Sequence, residues 1–143
     1  MHYNLSELAL MTGYSTRSLR TFYKQGLLPG TITAGKYSFS EEDVERFMAR
    51  PFIASGMKTK TRMQVCHFLE EEHTRRPATC LIHDEPGKER ADQLNDILLE
   101  YINRERPEGF TYNYLFDEKK ETARFIIIGP ARVVAAVLEK IGK

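Results

Sequence analysis

The chain has 143 residues, enough for one domain of ordinary size or two small ones, and its 41% hydrophobic and 29% charged residues are typical of a globular protein. No apolar run approaches the roughly 18 residues that a membrane-spanning helix needs, and the opening MHYNLSELAL lacks the pattern of a signal peptide. The two cysteines, Cys66 and Cys80, form no C-x-x-C motif and are typical of reduced thiols in a cytoplasmic protein.

The net charge of +1 conceals an asymmetry between the two halves of the chain. Residues 1–62 hold nine Lys and Arg against five Asp and Glu, a net charge of +4, and residues 63–143 carry a net charge of −3. Opposite signs on two halves favour two separate roles. The basic half is the better candidate for binding a polyanion such as nucleic acid.

Two short helices are predicted near the N-terminus. Asn4 followed by Glu7 fits an N-cap residue with an acid that reaches back to it, and this helix ends at Gly13. Ser15 is the next N-cap candidate, and a second helix is predicted over residues 16–25, with Gly26 suited to the left-handed position that follows a helix. One side of this second helix is apolar, and the other carries Arg17, Arg20, Thr21 and Lys24.

A small β-hairpin and further helices are predicted next. Residues 31–33 and 37–39 are β-prone and flank a turn at Ala34-Gly35-Lys36. Ser40 is expected to cap a helix with an acidic first turn, and Gly56 is interpreted as a break before a separate helix over residues 58–74. The side chains of this last helix that are expected to face a core are Met63, Val65, Cys66 and Leu69.

Beyond Pro77 the pattern becomes that of a small α+β unit. Strands are predicted at residues 80–82, 110–116 and 124–128, and helices at residues 91–104 and after Gly129-Pro130. The inward side chains expected on the last helix are Val134, Val137, Leu138 and Ile141. The predicted fold class is α+β, a winged helix-turn-helix followed by a βαββα module, with domains at residues 1–76 and 77–143.

The stretch LSELALMTGYSTRSLRTFYKQGLL, followed by GKYSFSEEDVERF, resembles the DNA-binding domain of the MerR family of bacterial transcription regulators. The family's Thr-Gly turn corresponds to residues 12–13, its Gly-Leu-Leu helix end to residues 26–28 and its wing to residues 35–40. The resemblance covers residues 3 to about 50, and extends to 72 if FIASGMKTKTRMQVCHFL corresponds to the family's next helix pair.

Three positions or segments depart from the family pattern. Thr21 and Phe22 stand where the family usually has two tyrosines, and Tyr37 stands where its wing usually has an arginine. The long coiled-coil helix through which family members dimerise has no counterpart after Pro77.

The resemblance implies a regulator of transcription whose second helix enters the major groove of double-stranded DNA, with the hairpin beside it. It implies no enzymatic activity. The residues expected to contact DNA are Ser15, Thr16, Arg17, Arg20, Thr21, Lys24, Lys36 and Tyr37.

Two alternative functions use the same winged scaffold. One is an architectural DNA binder like the excisionases, and the other is a protein-interaction adaptor whose winged domain no longer binds DNA. The C-terminal module would make the protein a homodimer, bind a small-molecule effector, or do both, since the edge strands of a three-stranded sheet invite pairing with another chain.

A metal site is the remaining chemical candidate, with Cys66, His67, His73, Cys80 and His83 as its ligands. Soft-metal sites usually contain closely spaced cysteine pairs, and this sequence contains none. No Gly-rich phosphate loop or nucleophile motif is present either. We therefore expect no metal, no cofactor and no catalytic residues.

Overall fold

The structure is a computed structural model that describes residues 2–142. In chain order the elements are β1 (His2–Tyr3), α1 (Leu5–Thr12), α2 (Thr16–Lys24), β2 (Thr31–Thr33), β3 (Lys36–Ser40), α3 (Glu41–Ala49), α4 (Pro51–Glu70), β4 (Ala78–Pro86), α5 (Lys88–Glu105), β5 (Thr111–Asp117), β6 (Thr122–Pro130) and α6 (Ala131–Ile141). The fold class is α+β, as the sequence predicts.

Local capping chemistry sets the ends of the first helices. The backbone N–H of Glu7 donates to the Asn4 side chain at 2.8 Å, and the Glu7 carboxylate accepts from the Asn4 backbone N–H at 2.9 Å, which completes a capping box. Gly13 ends α1 with a φ of 79°, in the left-handed region. The predicted boundaries of α1 and α2 are confirmed to within a residue.

The hairpin forms where the sequence predicts it. Ala34 and Gly35, at the turn between β2 and β3, both have positive φ, as a two-residue type I′ turn requires. Ser40 then caps α3 through a second capping box with Asp43. The sequence gives no sign of β1, whose residues His2 and Tyr3 pair with the end of β3 to form a three-stranded sheet in the order β1-β3-β2.

The predicted break at Gly56 is wrong, because α4 runs without interruption through it. A Cβ atom at position 56 would lie 2.1 Å from the hydroxyl oxygen of Tyr14, so the glycine makes room for a ring that packs against the helix. Pro51 occupies the first position of α4, where its missing N–H costs no hydrogen bond.

The second half of α4 is also more exposed than its periodicity predicts. The exposed fraction is 64% for Met63 and 74% for Leu69, and Cys66 is exposed as well, so the prediction that these residues face a core is wrong. Periodicity indicates which residues share a helix face, but it does not show whether another element covers that face.

The C-terminal module has the predicted βαββα order. Its sheet is antiparallel in the order β4-β6-β5, with β6 in the centre, and α5 and α6 pack against β4, β6 and each other. The alternating aromatic side chains of β5 face α5, since Tyr112 donates a hydrogen bond to Asn95 at 2.5 Å and Tyr114 donates one to Asp92 at 3.2 Å.

The core of this module combines aliphatic side chains with the ring of Phe125, which contacts the rings of Tyr112 and Tyr114. Its largest fully buried members are Leu94, Leu98, Leu99, Phe125, Ile127, Val134 and Val137. Leu138, which is predicted to point inward, is 48% exposed, so that prediction is wrong. Asn113 of β5 donates a hydrogen bond to Gln64, which connects the second half of α4 to the opposite face of the sheet.

The backbone separates into two compact units, one extending to Thr61 and the other beginning at Arg62. The division falls within α4, whereas the sequence places the domain boundary at residues 76–77. Gln64, which lies beyond the division, accepts a hydrogen bond from Asn113 of the C-terminal sheet.

Candidate nucleic-acid interface

Helix α2 is held at its start by one serine. The Ser15 hydroxyl oxygen accepts a hydrogen bond from the backbone N–H of Ser18 at 3.1 Å, which satisfies one of the free donors at the helix N-terminus. Only Gly13, Tyr14 and Ser15 separate α1 from α2. Two short helices joined by so tight a turn form a helix-turn-helix.

The solvent side of α2 carries its cationic side chains. Arg17, Arg20 and Lys24 are all exposed, and none of them forms an ion pair with another residue between positions 2 and 142. Three and four residues apart, they lie within a stripe roughly 60° wide on a helix with 3.6 residues per turn. Leu19 anchors the opposite side and is completely buried. The three charges are therefore available to an external anion.

The polar side chains near this stripe are already used within the chain. The Ser15 hydroxyl caps the helix and also lies 3.0 Å from the Ser18 hydroxyl, and Thr21 donates a hydrogen bond to the backbone carbonyl of Arg17 at 3.2 Å. Thr16 is half-buried. Each of these hydroxyl groups can still form another hydrogen bond, because a hydroxyl group has one donor and two acceptor positions. The bonds that they already form within the chain stabilise the helix backbone.

Aromatic contacts connect the hairpin to α2. The Tyr37 ring centroid lies 5.2 Å from that of Tyr23 on α2, in an edge-to-face arrangement, and 6.1 Å from that of Phe39. Lys36, at the start of β3, is exposed. Lys36 therefore lies next to the turn at the tip of the hairpin. Tyr37 packs between the hairpin and α2. The sequence alone gives no signal for this link.

The ring of Tyr14 packs against side chains of α2, α3 and α4. Its ring lies 5.3 Å from Phe22 and 6.4 Å from Phe47, and the Lys60 ammonium lies 5.0 Å from the ring centroid, in cation–π range. Its hydroxyl lies 3.5 Å from the backbone oxygen of Ile53, and burial raises the pKa of Tyr14. The position of α2 is therefore set by rings that touch three helices.

The candidate metal ligands do not assemble into a site within residues 2–142, where no group of three or more His, Cys, Asp and Glu side chains could hold an ion. Nε2 of His73 lies 2.7 Å from the backbone oxygen of Phe68, and His67 lies 2.6 Å from the Glu71 carboxylate. Cys66 is exposed and Cys80 is half-buried, and the two belong to different elements.

Comparison with known protein families gives one match. Residues 3–50 match the MerR HTH family of regulatory proteins, which is a DNA-binding family and generally not an enzymatic one. The matched segment covers about a third of the chain and ends just before α4. No curated protein and no solved structure matches the chain. No helix between residues 2 and 142 is long and apolar enough to span a membrane.

Proposed function

We propose, on the basis of the match of residues 3–50 to the MerR regulators, that this protein binds specific DNA sequences and regulates transcription. In this proposal α2 enters the major groove and the hairpin lies beside it as a wing. The observation that carries the proposal is the stripe of exposed, unpaired cations on α2, formed by Arg17, Arg20 and Lys24.

The three cations suit both parts of DNA recognition. An arginine can donate two parallel hydrogen bonds to the major-groove edge of guanine, and a lysine or arginine can neutralise a phosphate. Lys36 on the wing would contact backbone phosphate, which positions a protein without reading sequence. Ser15, Thr16, Thr21 and Tyr37 would contribute further backbone contacts through their hydroxyl groups.

The cellular setting follows from the proposed partner. A regulator of bacterial transcription acts on DNA in the cytoplasm, and two cysteines outside any disulfide fit that reducing compartment. The protein would act there as a homodimer, because a palindromic operator presents two half-sites roughly 34 Å apart. The C-terminal module is the candidate for assembly and for any small-molecule effector.

Fluorescence anisotropy with labelled double-stranded DNA at two salt concentrations tests the proposal. The combined variant Arg17→Ala, Arg20→Ala and Lys24→Ala should bind more weakly, and its plot of log affinity against log salt should be less steep by about 2 if Arg20 reads a base edge and by about 3 if all three contact phosphate, since each lost phosphate contact removes about 0.9. Binding by the triple variant that equals wild-type binding would contradict the proposal.

A matched control separates the α2 stripe from net charge. Lys119, Lys120 and Arg132 are exposed cations of the C-terminal module, and their replacement by alanine removes the same charge. This control variant should bind DNA nearly as well as the wild type. If both triple variants lose affinity equally, general electrostatic attraction explains the binding and α2 has no special role.

Genome-wide mapping of bound DNA distinguishes a regulator from an architectural binder. A regulator should occupy promoters of neighbouring genes, and an excisionase-like protein should occupy the attachment site of an integrated element. The exposed cations of α2 disfavour a protein-interaction adaptor that does not bind DNA, because only a DNA-binding surface requires a cluster of positive charges there.

A further inference from the structure

Strand β4 forms an open edge of the C-terminal sheet. It is paired with β6 on one side, and no strand between residues 2 and 142 is paired with its other side. None of its nine residues is fully buried. The outer side of a strand in this position presents unpaired backbone N–H and C=O groups, which are a template for pairing with another strand.

The opposite edge, β5, differs from β4 in its side chains. Tyr112, Asn113 and Tyr114 at its centre are already buried, and their side-chain polar atoms bond to α5 and α4, so an added strand would cover little further apolar surface there. The middle of β4 differs, because Ile82 is 49% exposed. A large aliphatic side chain at the centre of an open edge strand loses solvent contact when a second strand is added.

We propose that the outer edges of β4 in two copies of this chain pair with each other, antiparallel, around a twofold axis that passes midway between the two Ile82 residues. This proposal rests on the homodimer of the proposed function and specifies how it forms. The two sheets would join into one of six strands in the order β5-β6-β4-β4-β6-β5. The interface is isologous, since the same strand is used on both copies.

The residue order of β4 favours this register. Ile82 is the midpoint of Ala78–Pro86, so only an axis at this residue pairs all nine positions. Cys80 then lies opposite Asp84 of the other copy, Leu81 opposite His83, and Thr79 opposite Glu85. No pair of like charges is formed, and opposed like charges would destabilise the ladder.

Neighbouring registers are less favourable. An axis at His83 would place Ile82 opposite Asp84 and Leu81 opposite Glu85, so both of these large apolar side chains would meet a carboxylate. An axis at Asp84 would place that carboxylate opposite its own copy. Axes at Cys80 or Leu81 avoid these conflicts, but they pair only five or seven of the nine residues.

Two features of the strand support its use as an interface. Asp84 is held within its own sheet by Arg124, whose Nε and Nη2 donate to the two carboxylate oxygens at 2.7 and 2.8 Å, so its charge is already compensated. Pro77 precedes the strand and Pro86 is its last residue, so the prolines bound the strand without interrupting it.

Disulfide trapping tests the register in the full-length protein. In a background with Cys66→Ser and Cys80→Ser, the variant Ile82→Cys places two thiols directly opposite each other, about 4.5–5.5 Å apart at Cα, within reach of a disulfide. A mild oxidant should convert most of this variant into a covalent dimer. Thr79→Cys is the register control, because its two copies would lie about 20 Å apart along the strands and should not cross-link.

A charge placed on the axis tests the interface independently. Ile82→Lys should shift the protein from dimer to monomer in sedimentation equilibrium, since two ammonium groups would face each other. Leu69→Lys is the matched control: Leu69 is an exposed aliphatic residue of the same compact unit, and this variant should remain dimeric. Circular dichroism should show that both variants fold.

The outcomes separate the two proposals. A wild-type dimer that survives Ile82→Lys, or that cross-links through Leu69→Cys and not through Ile82→Cys, overturns pairing by β4 and leaves the homodimer standing. A wild-type protein that is monomeric at tens of micromolar overturns both. DNA binding is measured separately, and the Arg17, Arg20 and Lys24 triple alanine variant should remain fully dimeric.

Discussion

Arg20 and Lys36 are both exposed cations, but they occupy different elements and should read different parts of DNA. If Arg20 contacts a base edge, Arg20→Ala should weaken binding to the specific site by about 1–3 kcal/mol and leave binding to unrelated DNA nearly unchanged. Lys36→Ala should weaken binding to all sequences alike. Anisotropy titrations with the mapped site and an unrelated duplex distinguish the two, and equal losses from Arg20→Ala on both duplexes would contradict base readout.

The two cysteines should differ in reactivity. Burial raises the pKa of the Cys80 thiol, so a smaller fraction of it is thiolate at neutral pH, and thiolate is the reactive form. Cys66 is exposed, and we expect iodoacetamide to alkylate it well before Cys80. Mass spectrometry of a time course measures both sites, with Cys66→Ser as the control that leaves only the slow thiol. Equal rates at the two positions would refute the expectation.

At the scale of elements, Gly56 of α4 lies directly against the Tyr14 side chain, so a substitution at position 56 tests how closely the two are packed. Gly56→Ala gains about 1 kcal/mol in helix propensity but pushes a methyl group against the Tyr14 hydroxyl, and such overpacking costs about 1–3 kcal/mol. We expect the single variant to lower the free energy of unfolding. Tyr14→Phe removes the clashing oxygen, so the alanine should cost at least about 1 kcal/mol less in that background.

Urea unfolding of the four proteins in this double-mutant cycle measures the coupling directly. Tyr14→Phe alone is the reference for the lost hydroxyl. A coupling free energy near zero would show that the Tyr14 ring moves aside without cost, and that Gly56 has no packing role.

Elements whose ends depend on neighbouring residues could be predicted from the sequence. Asn4, Ser15 and Ser40 cap their helices, and Gly13 and Gly26 take positive φ after them, because each of these effects acts within one helical turn. The hairpin turn is equally local. The exposed cations of α2 were predictable for the same reason, since they share a face of one short helix.

Features that depend on distant residues could not be predicted. Gly56 reads as a helix break until the ring of Tyr14, 42 positions earlier, is known to pack on it. Strand β1 is two residues long and is defined only by its pairing with β3. The contact between Tyr23 and Tyr37, which joins the wing to the helix, likewise joins rings 14 positions apart. In each case the sequence contains the residues but not the contact.

At the scale of the whole molecule, the scattered placement of the Cys and His residues bears on metal content. Structural and sensory metal sites need several ligands converging on one point, and those of residues 2–142 do not converge. We expect less than one transition-metal ion per chain in protein purified without an affinity tag. Elemental analysis measures this, and one zinc or copper ion per chain that disappears in the Cys66→Ser, Cys80→Ser variant would overturn it.

Pairing of β4 with its own copy has a genetic consequence. Because pairing involves only β4, a defect in α2 does not affect dimerisation. Normal and α2-defective chains therefore pair at random. In a cell that makes equal amounts of normal and α2-defective chains, only about a quarter of the dimers would contain two intact recognition helices. A mutation in α2 should therefore be dominant over the normal allele, and a mutation such as Ile82→Lys, which withdraws the subunit from pairing, should be recessive.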